Sequence, residues 1–268
     1  GRGRRGRTFH SPKGGLYLST LLRPVGETDP ARITCCAAVA AARAIESLCD
    51  AQVEIKWVND LYLNGRKLAG ILAEGVIAPD GTLSAVVLGI GINVGPTAFP
   101  EELRSIATSL ANEGFALTRE AVAAAFLNEW ERVYTTSDTD VMDEYRRRNL
   151  VMGREVTILQ GNTTYPATAI AITDEGHLVV RTAHGEVTLY HHAGVEVVAG
   201  QKATHHSAIL EWGGEVGIAH VEASARHGTQ FHLVLQLLSR YHAHRHQQQE
   251  YCCQPTCHVP CWIVVQWG

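Results

Sequence analysis

The sequence predicts an α+β fold: a sheet under a helical cover, followed by a small all-β unit. Three observations carry this. A strand–turn–strand signature centres on Asn64-Gly65, an alanine-rich stripe at helical spacing follows Asp29-Pro30, and beyond Val151 the apolar period changes to two.

In chain order, residues 16–22, L-Y-L-S-T-L-L, predict a central strand. Asp29 then supplies a capping acceptor and Pro30 suits the first helical position. The helix is expected to run to about Cys49, with Ile33, Cys36, Ala37, Ala40, Ala44, Ile45 and Leu48 as its core stripe. Residues 53–57 and 61–63 are strand-like, and Asn64-Gly65 gives the two positive-φ residues of a type I′ turn, which pairs Tyr62 with Lys67. On the returning strand the period of two places Lys67, Ala69 and Ile71 on one face, a cation ending an apolar row, which invites a ligand anion. Ala69 and Gly70 are small enough for a bound molecule to lie against the backbone. Asn59-Asp60 occupies the preceding bend, so an amide, a carboxylate and an ammonium converge at one end of the sheet; the bland alternative is a turn with a solvated lysine. Asp80-Gly81 turns the chain into residues 82–94, a buried strand whose Gly89 and Gly91 leave bare backbone, with Asn93 at its end.

Helices are expected over residues 101–111, ended by Gly114, then 119–134 and 141–148. Phe126 and Trp130, four apart, read as core, and Arg146-Arg147-Arg148 as a solvated helix end that complements the macrodipole. After Val151, residues 155–159, 165–172, 178–182, 187–190 and 195–198 alternate between turn signals and suggest a small SH3-like barrel. Past Ala199 the chain becomes rich in His, Gln and Cys. Cys252, Cys253, Cys257, His258 and Cys261 are zinc-type ligands at poor spacing, so this tail is expected to be disordered or non-native.

A length of 268 residues suggests about two domains, and a net charge of −4 supplies no overall basic field for nucleic acid. No apolar run approaches the roughly 20 residues of a membrane span. Cys35, Cys36 and Cys49 fall in the predicted helix rather than in a disulfide framework, which suits a reducing cytoplasm. The chain begins without methionine and is expected to be a fragment with further sequence upstream.

Residues 1–7 read G-R-G-R-R-G-R. Glycines let backbone N–H groups approach phosphate oxygens, and each arginine offers a planar fork whose charge-assisted bonds are worth roughly 1.5–3 kcal/mol. Phe9 adds a flat apolar face, a combination suited to a nucleoside phosphate. An RNA-binding arginine-glycine segment is the competing reading, weakened because the run gives way at once to the strand at Leu16.

In order, G-R-G-R-R-G-R, S-P-K-G-G-L-Y-L-S, K-W-V-N-D, R-K-L-A-G-I-L and G-I-G-I-N-V resemble the blocks of biotin protein ligases over about residues 1–95, with a weaker similarity to the family's C-terminal barrel up to about Val198. The family usually has proline where Val58 stands. The resemblance implies a mixed-sheet catalytic domain of the biotin/lipoate ligase type over residues 1–150, an SH3-like barrel over 151–198 and a separate tail over 199–268. It further implies ATP-dependent activation of biotin to biotinyl-5′-AMP, with Mg²⁺, and transfer to a lysine of a biotin carboxyl carrier domain in the cytoplasm. Lys67, Arg4 and Asp60 would be catalytic; Gly1, Arg2, Gly3, Arg4, Arg5, Phe9, Asn59, Lys67, Gly70, Gly89, Gly91 and Asn93 would bind substrate and nucleotide, Phe9 stacking on adenine and Asn93 reading its edge. No metal ligands, membrane or nucleic-acid partner are expected, and the family's ureido-ring contacts would lie upstream of Gly1. A homodimer, a lipoate-type ligase and a non-catalytic adenylate-binding regulatory module remain alternatives.

Overall fold

The computed structural model describes residues 10–23, 29–135, 140–190 and 195–199, together with the backbone of 220–222 and 261–267. The larger sheet contains β1 (Leu16–Leu22), β2 (Glu54–Lys56), β3 (Asp60–Leu63), β4 (Arg66–Ile77) and β5 (Leu83–Ile92), which lie in the order β1-β5-β4-β3-β2. Every strand pairing described is antiparallel, so the expected mixed sheet is corrected; parallel geometry occurs in the isolated bridges Ile55–Asn149 and Lys67–Ala107. Tight turns, which join antiparallel strands without a crossover, explain the β3–β4 pairing: Asn64 and Gly65 have φ of 50° and 73°, and Leu63 pairs with Arg66 and Tyr62 with Lys67 as the hairpin signature required.

Helix α1 (Pro30–Glu46) begins where the cap signal placed it, with the Asp29 carboxylate accepting from Ala31 N at 2.7 Å. It stops at Glu46 rather than Cys49, and it is buried almost all round rather than on one stripe. The cause is a second layer: α2 (Arg119–Thr135) and α3 (Val141–Arg148) pack on its outer side, so alanines face neighbours in both directions. Phe126 and Trp130 lie in this layer as core, their rings stacked with centroids 6.5 Å apart.

Residues 101–111 are not a helix. Two single turns of 3₁₀ geometry, Glu101–Leu103 and Ala111–Glu113, flank a further turn and a short bridge that hydrogen-bond to the ends of β4 and β5. Helical propensity over 11 residues loses there to tertiary backbone bonds, a competition local pattern does not register. Nor is Arg146-Arg147-Arg148 simply solvated: Arg148 pairs with Glu46 and Glu144 at 2.7 Å, and Arg146 pairs with Asp143 and Asp174.

The second sheet has the order β10-β6-β7-β8-β9, from β6 (Glu155–Gln160), β7 (Thr163–Ile172), β8 (Leu178–Thr182), β9 (Gly185–Leu189) and β10 (Val195–Ala199). The strands follow the expected alternation, and their pairings form an open five-stranded order rather than a demonstrated closed barrel. The turn between β7 and β8 joins the small sheet to α1 and to the bend before β3. Gly176 O accepts from Trp57 Nε1 at 2.9 Å, Asp174 O from Arg32 at 2.6 Å, and His177 Nε2 lies 3.3 Å from Asp29.

Of the tail expected to be disordered or non-native, two strands are described: β11 (His220–Glu222) pairs with β12 (Cys261–Trp267), and β12 runs antiparallel to the whole of β1; most of the rest lies outside the described residues. Residue 261 is in that strand, whereas the other candidate zinc ligands lie outside the described residues; among the described residues no cluster could hold a metal, and no helix is long and apolar enough to cross a membrane.

Gly176 provides a test of the junction. Its φ is +89°, and a Cβ there would stand 2.7 Å from Cys35 Sγ and 3.3 Å from the Ala31 carbonyl. Gly176→Ala should therefore lower stability by about 1–3 kcal/mol, measured by urea unfolding, and lower it by more than Gly161→Ala, where nothing lies within 4 Å and φ is +60°.

Candidate functional site

The period of two gives the large sheet two different faces. Leu16, Leu18, Leu22, Ala69, Ile71, Leu88, Ile90 and Ile92 are buried toward the helices. The other face carries one residue from each strand in a continuous row: Tyr17 on β1 is opposite Gly91 on β5, which is opposite Gly70 on β4, then Asp60 on β3 and Lys56 on β2. The next row holds Ser19, Gly89 and Leu72. Gly70, Gly89 and Gly91 thus form a floor without side chains, walled by Tyr17 at one end and by charge at the other. A Cβ on Gly89 would make only ordinary contacts, 3.7 Å from Leu72 O and 3.9 Å from Ser19 Oγ, so the bare floor is not demanded by packing.

Lys67 reaches this face through a bulge. Leu61 pairs with Ala69 but Tyr62 pairs with Lys67, leaving Leu68 as an extra residue, and both Leu68 and Ala69 are buried. The slip moves Lys67 off the Ala69/Ile71 face expected from strict alternation and onto that of Asp60, Tyr62 and Gly70. Lys67 Nζ lies 2.7 Å from Asp60 Oδ1, with about a third of the lysine side chain and a fifth of the aspartate exposed. The ion pair therefore remains accessible to a ligand.

The backbone around Lys67 is held on both sides. Lys67 N donates to Ile106 O at 2.8 Å, Lys67 O accepts from Thr108 N at 2.9 Å, and Leu68 O accepts from Asn93 N at 3.0 Å. These bonds hold residues 106–108 against β4 and leave the segment as turns around one short bridge at Ala107. Glu113 anchors that segment by accepting from Asn64 at 2.7 Å, Arg66 at 2.5 Å and the Thr108 hydroxyl.

Asn93 is 4% exposed; its Nδ2 donates to Thr108 O at 3.0 Å, while Oδ1 is a buried acceptor with no hydrogen-bond partner among the described residues. It braces the loop and retains one acceptor for a ligand donor. Asn59 also has a structural bond, Nδ2 to Ile71 O at 2.7 Å. The peptide bond Trp57–Val58, at the position where proline was expected, is cis. Gly1, Arg2, Gly3, Arg4, Arg5 and Phe9 lie outside the described residues.

Sequence reasoning assigned no role to Tyr17 or Lys56. Pairing Leu16–Leu22 against the alternating glycines of G-I-G-I would have exposed the first, because Tyr17 falls on the glycine side. The Tyr17 hydroxyl donates to Pro12 O at 2.9 Å, and burial pushes its pKa up to about 12, so it remains a neutral donor.

Comparison with known proteins shows the family. Residues 1–93 match the biotin/lipoate A/B protein ligase family and residues 151–194 the biotin protein ligase C-terminal domain. The bifunctional ligase/repressor BirA of Bacillus subtilis is 36% identical over 199 residues, covering 71% of this chain and 61% of the relative. The biotin--[acetyl-CoA-carboxylase] ligase of Paracoccus denitrificans is 31% identical over 196 residues, covering 69% of this chain and 81% of that one. The chain belongs to the biotin protein ligase family. Biotin protein ligase from Aquifex aeolicus in complex with biotin and ATP shares the fold, with a TM-score of 0.65 at 24% identity over 74% of this chain and 84% of that one. The family member described here spans about three fifths of the length of its Bacillus relative, 61%.

Acid stability tests the Glu113 anchor. Burial works to raise its pKa, but the bonds from Thr108 and Asn64 and the Arg66 cation together outweigh it and hold the carboxyl below the usual range. Because the folded state binds this proton more weakly than the unfolded chain, the contribution is complete above the ordinary glutamate pKa and is lost as pH falls through the folded value. Unfolding midpoints of the parent chain should fall more steeply than those of Glu113→Gln between about pH 5 and 3.

Proposed function

We propose that this chain activates biotin with ATP to biotinyl-5′-AMP and transfers the biotinyl group to a lysine of a biotin carboxyl carrier domain. The carrying observation is the glycine-floored trough that ends at the Lys67–Asp60 pair, in a member of the biotin ligase family. A flat apolar acid fits a floor of Gly70, Gly89 and Gly91, and its carboxylate would then meet an ammonium at the charged end.

A carboxylate is a poor acylating agent. One of its oxygens attacks the α-phosphorus, the bond to pyrophosphate breaks, and a mixed anhydride forms; an acceptor amine then attacks the carbonyl, loses a proton, and AMP leaves with the bonding pair. Lys67 would neutralise charge at the reacting carboxylate and α-phosphate. Its backbone clamp reduces the reorganisation required as that charge develops. Asp60 would keep the ammonium on the trough before ligand arrives and orient the incoming amine afterwards. Arg4, with Arg2 and Arg5, would hold the phosphates, Gly1 and Gly3 would admit them to the backbone, Phe9 would stack on adenine, and Asn93 Oδ1 would accept from its amino group. Asn59 would support the bend through its bond to Ile71. Mg²⁺ would enter with the triphosphate, whose phosphate oxygens are hard ligands suited to it.

Intact-mass analysis of a carrier domain incubated with the chain, biotin and ATP should show one biotinyl addition, with AMP and pyrophosphate released in step. An unmodified carrier and no AMP would sink the proposal. Lys67→Ala should lower the rate of adenylate formation about 10²-fold or more, with the melting temperature nearly unchanged because a partly exposed ion pair adds little stability. Gly89→Ala should fold normally but raise the biotin Kd at least about tenfold, a cost of roughly 1.4 kcal/mol, by placing a methyl group on the floor; unchanged calorimetric affinity would move biotin elsewhere.

A further inference from the structure

The trough face of the large sheet continues beyond β1. β12 runs along the whole of that strand, with Gln266 opposite Tyr17, Val264 opposite Ser19 and Trp262 opposite Leu21. Residues directly opposite one another in an antiparallel pair share a face, so these three positions belong to the trough face, while Cys261, Val265 and Trp267 stand opposite the buried Leu22, Leu18 and Leu16 on the core face. The one carboxamide in C-W-I-V-V-Q-W therefore falls in the row of Tyr17, Gly91, Gly70 and Asp60, at the end opposite Asp60.

Lys67 stands on β4, and β5 and β1 lie between β4 and β12, so strands spaced by about 4.8 Å place Gln266 about 14 Å across the sheet from the strand of the ammonium. That span suits an extended acid whose carboxylate meets Lys67 and whose head reaches past β1. The head of biotin is a cyclic urea, with N–H donors flanking a carbonyl, and its recognition requires acceptors and a donor together. Tyr17 does not supply the donor, because its hydroxyl already donates to Pro12 O at 2.9 Å. A carboxamide carries both functions on one side chain. In the next row Val264 and Ser19 lead to the bare Gly89, an apolar residue and a small one beside open backbone, where the ring carbons can lie.

We propose that β12 is part of the ligand site: Gln266, at the end of the glycine row opposite Asp60, recognises the ureido head of biotin, with the ring against the row of Val264 and Ser19. The inference rests on the proposed biotin reading and deepens it, because it assigns recognition of the head to residues 261–267. Biotin then lies along the row, between an ammonium on β4 and an amide on β12.

Amide hydrogen exchange of the full chain tests the placement without any ligand. Successive amides of β1 point alternately to β5 and to β12, so both sets over residues 16–22 should exchange slowly. Fast exchange of the set directed away from β5 would overturn the proposal. Calorimetry with biotin tests the recognition: Gln266→Ala should raise the Kd about tenfold while the melting temperature stays within a few degrees. For biotin methylated at a ureido nitrogen, parent and Gln266→Ala should bind within about twofold of each other, because the bond in question is already lost. An unchanged Kd for biotin in Gln266→Ala, or an equal loss for biotin and its methylated analogue, would overturn the assignment of Gln266. A parent chain that binds no biotin fails the proposed function and this inference with it, whereas parental binding that Gln266→Ala leaves intact fails the inference alone.

Discussion

The extra residue on β4 is the constraint on which the site rests. Strict alternation would carry Lys67 to the side of Ala69 and Ile71, under α1, where an ammonium would have neither water nor a carboxylate. The bulge at Leu68 exchanges that position for the open face. It also disrupts the ladder to β3, and the backbone groups concerned find other partners: Lys67 bonds to Ile106 and Thr108, and Leu68 O to Asn93 N. A loop that local propensity would have made helical is thereby recruited to hold one lysine.

The same economy governs the bend before Asp60. Lys56 faces the trough, Trp57 Nε1 reaches Gly176 in the small sheet, Val58 O accepts from Tyr145 in α3 at 2.9 Å, and Asn59 Nδ2 caps Ile71 O. Successive residues bond to different elements, so the bend is held by α3, the small sheet and β4 together. This gives the second sheet a structural relation to the chemistry that its own surface does not suggest. The ion pairs of Arg148 with Glu46 and Glu144, and of Arg146 with Asp174, tie α3 to α1 and to the β7–β8 turn. Their partly exposed position implies that they orient the two sheets more than they stabilise them.

Signals confined to a few neighbouring residues were legible in the sequence. Asp29-Pro30 specified the start of α1, Asn64-Gly65 specified a turn and its register, and the alternation after Val151 specified the strands of the small sheet, because caps, positive-φ turns and two-residue periods are set by nearest-neighbour geometry. The residue types of the trough were legible as well: bare glycines beside a lysine and an Asn-Asp bend. Tertiary structure decided which of them meet. It placed Gly91, Gly70 and Asp60 in one row, shifted Lys67 by a bulge, turned residues 104–110 away from a continuous helix, buried α1 almost all round and laid β12 along β1. Each of those outcomes depends on hydrogen bonds or packing between residues far apart in the chain, and their energies exceed the small local preferences that a sequence pattern expresses.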